Sequence, residues 1–312
     1  MDRKVAIGLD LGGTSIKFGL VDDNGSFLFE GLIPSLGNVS SEAVLGQLLA
    51  AASTCNLEAE RLGIKPVGIG VGSPGIVDPT ERVVIGGAEN IEGWQMVPVS
   101  DFLESKLGMP VRVCNDANLM GLGEAAFGAA QGCSDVLFLT VGTGIGGAVI
   151  IGGKLFGGFR NRGTELGHIP LIANGEQCAC GSVGCLETYA STAALVRQYK
   201  DKAFPGLSGE NVDGKMIVAL YQRGDHLATE VMNNHFYYLG RGIAGLINIF
   251  SPERIVIGGG ISEAGEFYLD KVSEMAFKHA MPECSENTRI VVAQLGNKAG
   301  CLGAAQLMLA DA

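Results

Sequence analysis

Apolar positions in this chain follow two patterns: short, mostly apolar runs, and longer stretches in which apolar residues recur every three to four positions. The runs at 5–9, 16–21, 67–71, 111–113, 136–141, 148–151, 254–257 and 290–293 predict buried strands. The wider spacing predicts helices over 41–56, 98–107, 119–127, 186–203, 215–221, 227–250 and 299–309. In the first of these the stripe is Val44, Leu45, Leu48, Leu49 and Ala52. Gly108 stops the second, and Gly300 and Gly303 mark the last as a helix that packs closely. Residues 201–214 show neither pattern and read as loop.

Glycines interrupt the strands at informative places. The first strand ends in Asp10-Leu11-Gly12-Gly13-Thr14, and a second strand follows at once, closed by Asn24-Gly25. Such a turn brings backbone N–H groups to an anion, with the Thr14 hydroxyl as a further donor. Asp10 beside a phosphate would hold Mg²⁺ through water. A plain hairpin would also use these glycines. Leu139-Thr140-Val141-Gly142-Thr143-Gly144 repeats the arrangement of Leu9 to Thr14, so the two halves read as a duplication with a phosphate turn in each. Residues Gly142 to Gly147 also fit the dinucleotide fingerprint G-x-G-x-x-G, but that fingerprint needs a helix next. Here 148–151 and Gly152-Gly153 read as a strand and a hairpin turn. A third turn, Gly258-Gly259-Gly260, follows the strand at 254–257. Gly72-Ser73-Pro74-Gly75 is a rigid turn after the strand at 67–71.

One strand end is polar in a different way. Cys114-Asn115-Asp116-Ala117-Asn118 lies between the strand at 111–113 and a nearly apolar helix. Asp116 would serve as a helix N-cap, yet a single cap does not need three polar side chains at a core-lined strand end, which points to catalysis.

The charge balance narrows the partners. A net charge of −11 over 312 residues disfavours nucleic acid and anionic membranes, which need clustered Lys and Arg. The N-terminus is interrupted by Asp10 too early for a signal peptide, and the uncharged run 136–153 contains glycines that suit strands and a turn. A cytoplasmic protein is expected, in which cysteines stay reduced. Three of the eight cysteines, Cys178, Cys180 and Cys185, fall within eight residues, with His168 ten positions ahead of the first. One imidazole and three thiolates are the ligand set of a closed structural zinc site. A disulfide knuckle is the alternative, though a Cys-x-Cys bridge is strained. Gly181 and Gly184 allow the tight turn. Glu165 and Glu187 bracket the set and are not needed by such a metal. His226, His235 and His279 show no ligand spacing and read as surface or capping residues. Cys55, Cys114, Cys133, Cys284 and Cys301 read as small buried apolar side chains.

Asp10-x-Gly12-Gly13-Thr14, Asn115-Asp116-Ala117-Asn118, Glu165-x-Gly167-His168 and Cys178-x-Cys180-Gly181-x-x-Gly184-Cys185-x-Glu187, in this order, resemble the ROK family of sugar kinases and sugar-sensing repressors. The resemblance spans essentially the whole chain. It implies an α/β fold, the two-lobed actin-like ATPase (ribonuclease H-like) fold with a central cleft and a zinc-binding loop. The lobes would be residues 1–114 plus 297–312, and 115–296. It implies ATP phosphates at Asp10 to Thr14 and Gly142 to Gly144, with Lys17 and Thr140 assigned to the same side, and adenosine near Gly258, Gly259 and Gly260. The sugar would be held by Asn90, Asn115, Asp116, Glu165, His168 and Glu187, and Gly75 is assigned beside them. Ala179, Thr164 and Cys114 depart from the family's usual residues without touching a proposed ligand position.

The expected activity is Mg²⁺- and ATP-dependent phosphorylation of a hexose 6-hydroxyl, with Asp116 as base and Zn²⁺ as scaffold. Glucose is the expected hexose, because Glu165 is present where some family members acting on N-acetylmannosamine replace it. N-acetylmannosamine, N-acetylglucosamine, fructose and allose are alternatives, as is polyphosphate as donor. A repressor would need a helix-turn-helix ahead of the first strand, and the strand starts at Val5. The resemblance also implies a homodimer or homotetramer.

Overall fold

The computed structural model describes residues 3–88, 91–203 and 211–310. In chain order its elements are β1 (Val5–Leu11), β2 (Ser15–Asp22), β3 (Phe27–Pro34), α1 (Ser41–Leu62), β4 (Ile69–Ser73), β5 (Ile76–Val77), β6 (Val84–Gly86), α2 (Val99–Leu107), β7 (Val111–Asn115) and α3 (Asp116–Phe127). Then come β8 (Val136–Val141), β9 (Ile145–Ile151), β10 (Lys154–Leu155), α4 (Leu186–Ala190), α5 (Thr192–Ala203), α6 (Gly214–Gln222), α7 (His226–Phe250), β11 (Arg254–Gly258), α8 (Glu266–His279), α9 (Pro282–Ser285), β12 (Arg289–Val292) and α10 (Ala299–Leu309). The chain divides into two compact units: Met1–Cys133 with Ala148–Thr164 and Gln294–Ala312, and Ser134–Gly147 with Glu165–Ala293.

Each of two five-stranded sheets has the same plan. The first runs β3-β2-β1-β4-β7 and the second β10-β9-β8-β11-β12. In the first, β1, β2 and β3 form an antiparallel meander, while β4 and β7 join parallel to β1. In the second, β10 is antiparallel to β9, and β11 is parallel to β8 and to β12. The duplication expected from the two glycine turns is present at the level of whole sheets.

Strand β1 shows why its sequence reads as an unbroken apolar run. Val5, Ile7, Leu9 and Leu11 face a core shared with Val44, Leu48, Ala52 and Cys55 of α1. The intervening Ala6 joins Leu302 and Ala305 of α10 on the other side. Burial on both faces removes the polar alternation of a half-exposed strand. The β1-to-α10 approach is close: a Cβ on Gly8 would overlap the Cys301 carbonyl, and one on Gly300 the Asp10 carboxylate.

Three elements and one residue depart from the expected pattern. β3 has no buried position, its residues being half-buried or exposed with Leu32 63% exposed, and Glu30 and Gly31 interrupt its apolar residues. α8 carries too many charges to stand out as a stripe. The helix expected over 186–203 is two, α4 and α5, divided at Ser191, whose hydroxyl accepts the Ala194 N–H and starts the second. The last departure is His235, which is neither on the surface nor capping. It is fully buried between α7 and α8, its Nε2 2.8 Å from the Tyr268 hydroxyl, and burial pushes its pKa down to about 4. Among the other cysteines, Cys55 and Cys301 are buried and Cys114, Cys133 and Cys284 half-buried. No helix among the described residues is long and apolar enough to cross a membrane.

Candidate functional site

In the first sheet, Asp10, Gly72 and Cys114 stand in one row across β1, β4 and β7. Asp116 follows as the first residue of α3. Capping of that helix falls to Asn115, whose Oδ1 accepts the Asn118 N–H at 3.1 Å while its Nδ2 donates to the Gly75 carbonyl at 3.0 Å. Asn115 is thus engaged at both ends of its side chain. Asp116 is released from capping, and its carboxylate accepts its neighbour's N–H, from Ala117 at 2.8 Å. Burial raises the Asp116 pKa, against opposing hydrogen bonds from the Ala117 and Asp116 backbone and the Asn115 side chain.

Asp10 is more strongly affected. Burial raises it to about 6; Lys17, 3.8 Å away, pulls it down, and the charge of Asp116 pushes it further up. The first sheet and the start of α3 therefore bring together two carboxylates close enough to repel, with Lys17 as the cation beside Asp10. The positive end of α10 also meets Asp10 at Gly300. A divalent cation beside Asp10 would relieve this repulsion. Gly13 and Thr14 at the tip are exposed, and the turn is held from behind by buried Ser35, which donates through Oγ to Gly13 O and through N–H to Thr14 O. The adjacent turn at Gly72 to Gly75 is braced by the one tryptophan, Trp94, whose indole N–H donates to Ser73 Oγ at 2.9 Å. Asn90 lies outside the described residues.

In the second unit the matching turn is built differently. Thr140 takes the place of Asp10, paired across to Gly258 as Asp10 is to Gly72. Gly142 N–H donates to Gly144 O at 2.9 Å, a turn one residue tighter than the one closed by Gly12 to Ser15. Ile145 N–H donates to Glu187 Oε2 at 2.7 Å, and Thr192 N–H to Gly142 O at 2.8 Å. Beside the turn lies a cavity of about 660 Å³, lined by Gly142, Thr143 and Thr192 at one end and by Val196, Val218 and Ile261 among its apolar walls. Of the third glycine turn only Gly260 reaches this cavity. Gly258 packs on Phe138, and Gly259, at φ +91°, sits against the Val141 backbone. The walls from α5 and α6 were not foreseen. Their only sequence signal is a second apolar face, Val218 and Ala219, on a helix whose other face already fills the core.

The cysteine loop folds as a small hairpin, with Cys178 N–H donating to Ser182 O and bridges at Gln177–Val183 and Pro170–Cys185. Gly181 and Gly184 have φ of +90° and +73°, which only glycine adopts freely. The four donor atoms of His168, Cys178, Cys180 and Cys185 lie within 4.8 Å of one another. Cys180 Sγ is 3.6 Å from Cys185 Sγ, and Cys178 Sγ is 3.6 Å from His168 Nδ1. A tetrahedral zinc with about 2.3 Å Zn–S bonds sets its sulfurs about 3.8 Å apart, so the residues present fit the ion. Burial pushes the Cys178 thiol up, but hydrogen bonds from the Cys180 backbone and from the Thr188, Cys180 and Cys185 side chains bring it down to about 7. With Nδ1 turned to the sulfurs, Nε2 is the free edge of His168. Glu165 precedes it in the same 3₁₀ turn, its side chain exposed and its carbonyl accepting the His168 N–H at 3.0 Å.

Comparison with known proteins bears on this geometry. The ROK family model matches residues 6–311. The chain is 36% identical to the glucokinase of Thermotoga maritima, over 99% of this chain and 98% of the relative. It resembles the crystal structure of a ROK family glucokinase from Streptomyces griseus in complex with glucose and AMPPNP, with a TM-score of 0.80 and 36% identity over 97% and 98% of the two chains. For the ROK hexokinase of Thermus thermophilus the TM-score is 0.87, at 37% identity over 99% and 100%. Relatives named as xylose repressors match as well.

Proposed function

The chain belongs to the ROK family, and from that membership and the site we propose that it is an ATP-dependent hexose kinase acting on the 6-hydroxyl, with glucose as its hexose. The observation that carries the reading is Asp116: freed from capping by Asn115, half-buried, and raised in proton affinity next to Asp10. A raised pKa makes Asp116 a better acceptor for the hydroxyl proton as the oxygen attacks phosphorus. The exposed turn at Gly12 to Thr14 and that at Gly142 to Gly144 offer backbone N–H groups to the phosphates, with Lys17 and Thr140 on the same side. Mg²⁺ held through Asp10 would neutralise charge on the transferring phosphoryl group. The apolar cavity beside Gly142 suits a nucleoside and has no use for a polyphosphate chain, which supports ATP as donor.

Asn90, Asn115, Glu165, His168 and Glu187, with Gly75, form the hexose side of the proposal. Neutral hydroxyls are gripped directionally by carboxylates and carboxamides, at about 1.5–3 kcal/mol for a bond to a charged group. Zinc bound by His168, Cys178, Cys180 and Cys185 would have no open position, so its part is to fix the loop. The metal ligands would hold His168 by Nδ1 and orient Nε2 toward the sugar. The matched sheets support extending the reading to the two-lobed actin-like fold with a central cleft.

A coupled assay over glucose, N-acetylmannosamine, N-acetylglucosamine, fructose and allose, each with ATP and with polyphosphate, tests the proposal. Glucose with ATP should give the highest kcat/KM. No turnover of any hexose, together with nanomolar sequence-specific DNA binding at physiological salt, would favour the repressor reading instead.

A further inference from the structure

The turn between β8 and β9 is tied to the helices that follow the cysteine loop. Ile145 N–H donates to Glu187 Oε2 at 2.7 Å, and Thr192 N–H donates to Gly142 O at 2.8 Å. The three heavy atoms nearest a Cβ built on Gly144 all belong to the Glu187 carboxylate, which such a Cβ would overlap. Turn and carboxylate are therefore in direct contact at the one residue that has no side chain to separate them. Glu187 lies on α4, which starts immediately after Cys185.

A side chain that only gripped a hexose would gain nothing from giving an oxygen to the phosphate turn. An ionised carboxylate has two oxygens and about four lone-pair sites. Oε2 on Ile145 leaves Oε1 for a hexose hydroxyl. The N–H groups of a phosphate turn are effective only when the backbone holds them in one direction, and Ile145 N–H is the group that Glu187 fixes.

From this shared carboxylate, and resting on the kinase reading above, we propose that Glu187 is a positioning residue for the phosphoryl donor as well as a ligand of the hexose, so that it links the two substrate sites. Donor affinity then depends on Glu187 even when no hexose is present. This is the property that separates the proposal from a simple sugar contact.

Calorimetric titration of the full chain with Mg·AMPPNP in the absence of hexose reads that property without turnover. Glu187→Ala should weaken nucleotide binding about tenfold, the usual size of coupling between sites. Glu187→Gln, which keeps an oxygen for the Ile145 N–H, should stay within about twofold of wild type for nucleotide while its hexose KM rises. Gly144→Ala reaches the same contact from the turn side, by pressing a methyl group against the Glu187 carboxylate while keeping the carboxylate itself, and should weaken nucleotide binding as Glu187→Ala does. Wild-type nucleotide affinity in folded Glu187→Ala, or in Gly144→Ala, would overturn the proposal. A wild-type chain that binds AMPPNP normally and yet phosphorylates no hexose would instead sink the kinase reading and leave Glu187 as a positioning residue only.

Discussion

The two glycine turns share strand order and register, and yet one is charged and the other neutral. The first has Asp10 in its strand, half-buried, near Asp116 and the cation of Lys17. The second has neutral Thr140 at the equivalent place. Their supports differ too. Ser35, a residue with no proposed contact to ligand, backs the first turn, whereas Glu187 and Thr192 back the second. The duplicated backbone supplies N–H groups twice, and the side chains differ: under the proposed function the first copy would serve a cation and proton removal, the second a nucleoside. Duplication gave the scaffold, and the asymmetry gives the chemistry.

The largest expected effect removes the base from the charged copy. Asp116→Asn should lower kcat by about 10²–10⁴ while nucleotide affinity and melting temperature stay near wild type. Unchanged kcat in that variant would leave the first turn without its chemical distinction.

Asp10 tests the cost of the same asymmetry. Its folded pKa is raised, from 3.8 to about 6, so its contribution to stability is present below the unfolded value and lost as pH rises through about 6. A shift of this size corresponds to about 3 kcal/mol. In Mg²⁺-free buffer, Asp10→Asn should be more stable than wild type by up to about 3 kcal/mol at pH 8, with the gap closing by pH 4, and it should be inactive. Thr140→Val in the other turn should show no such pH dependence. Denaturant melts at the two pH values check both.

The second unit buries a base where the first buries an acid. His235 has its folded pKa lowered to about 4, so its contribution is present above the unfolded value of 6.5 and is lost as pH falls through that window. His235→Gln should flatten the acid limb of the stability curve between pH 6.5 and 4, a window worth about 3 kcal/mol. An unchanged acid limb would show that His235 does not control it.

The smallest effect separates two residues of the second copy's support. Cys185→Ser should lose the metal measured by elemental analysis and loosen α4 locally, whereas Glu187→Gln should keep one zinc per chain. Glu187→Gln should raise hexose KM by roughly ten- to a hundredfold, matching a lost charge-assisted bond of about 1.5–3 kcal/mol. Zinc lost from Glu187→Gln, or kept by Cys185→Ser, would refute the division.

Much of this was legible in the sequence because burial writes itself into short apolar runs. β1, β4, β8 and β11 are covered on both faces and carry no polar alternation, so they announce themselves. β3 does not, since its exposed face mixes Glu30 and Leu32 with apolar positions. The cysteine cluster was legible because its ligands are close in sequence. The Asp116 position was legible as a strand end, but not that Asn115 would take the capping duty, since either residue type caps a helix. The cavity beside Gly142 was hidden because its walls come from α5, α6 and the turn at Gly260, which no spacing rule joins. His235 was misread for a related reason: a polar residue's burial depends on a partner, Tyr268, thirty-three positions away.

The packing of α10 sets an order on synthesis. That helix supplies one side of the first sheet, against β1, β4 and α3, from residues made long after all three. The ribosome adds roughly 5–20 residues per second, so about ten to thirty seconds pass between completion of α3 and of α10. During that interval the face of β1 carrying Ala6 and Gly8 is bare, and the helix-packing surface of α3 is open to solvent. The nascent chain thus presents an uncovered apolar sheet throughout that interval, a natural place for a chaperone to act and the stage at which slow elongation would favour aggregation.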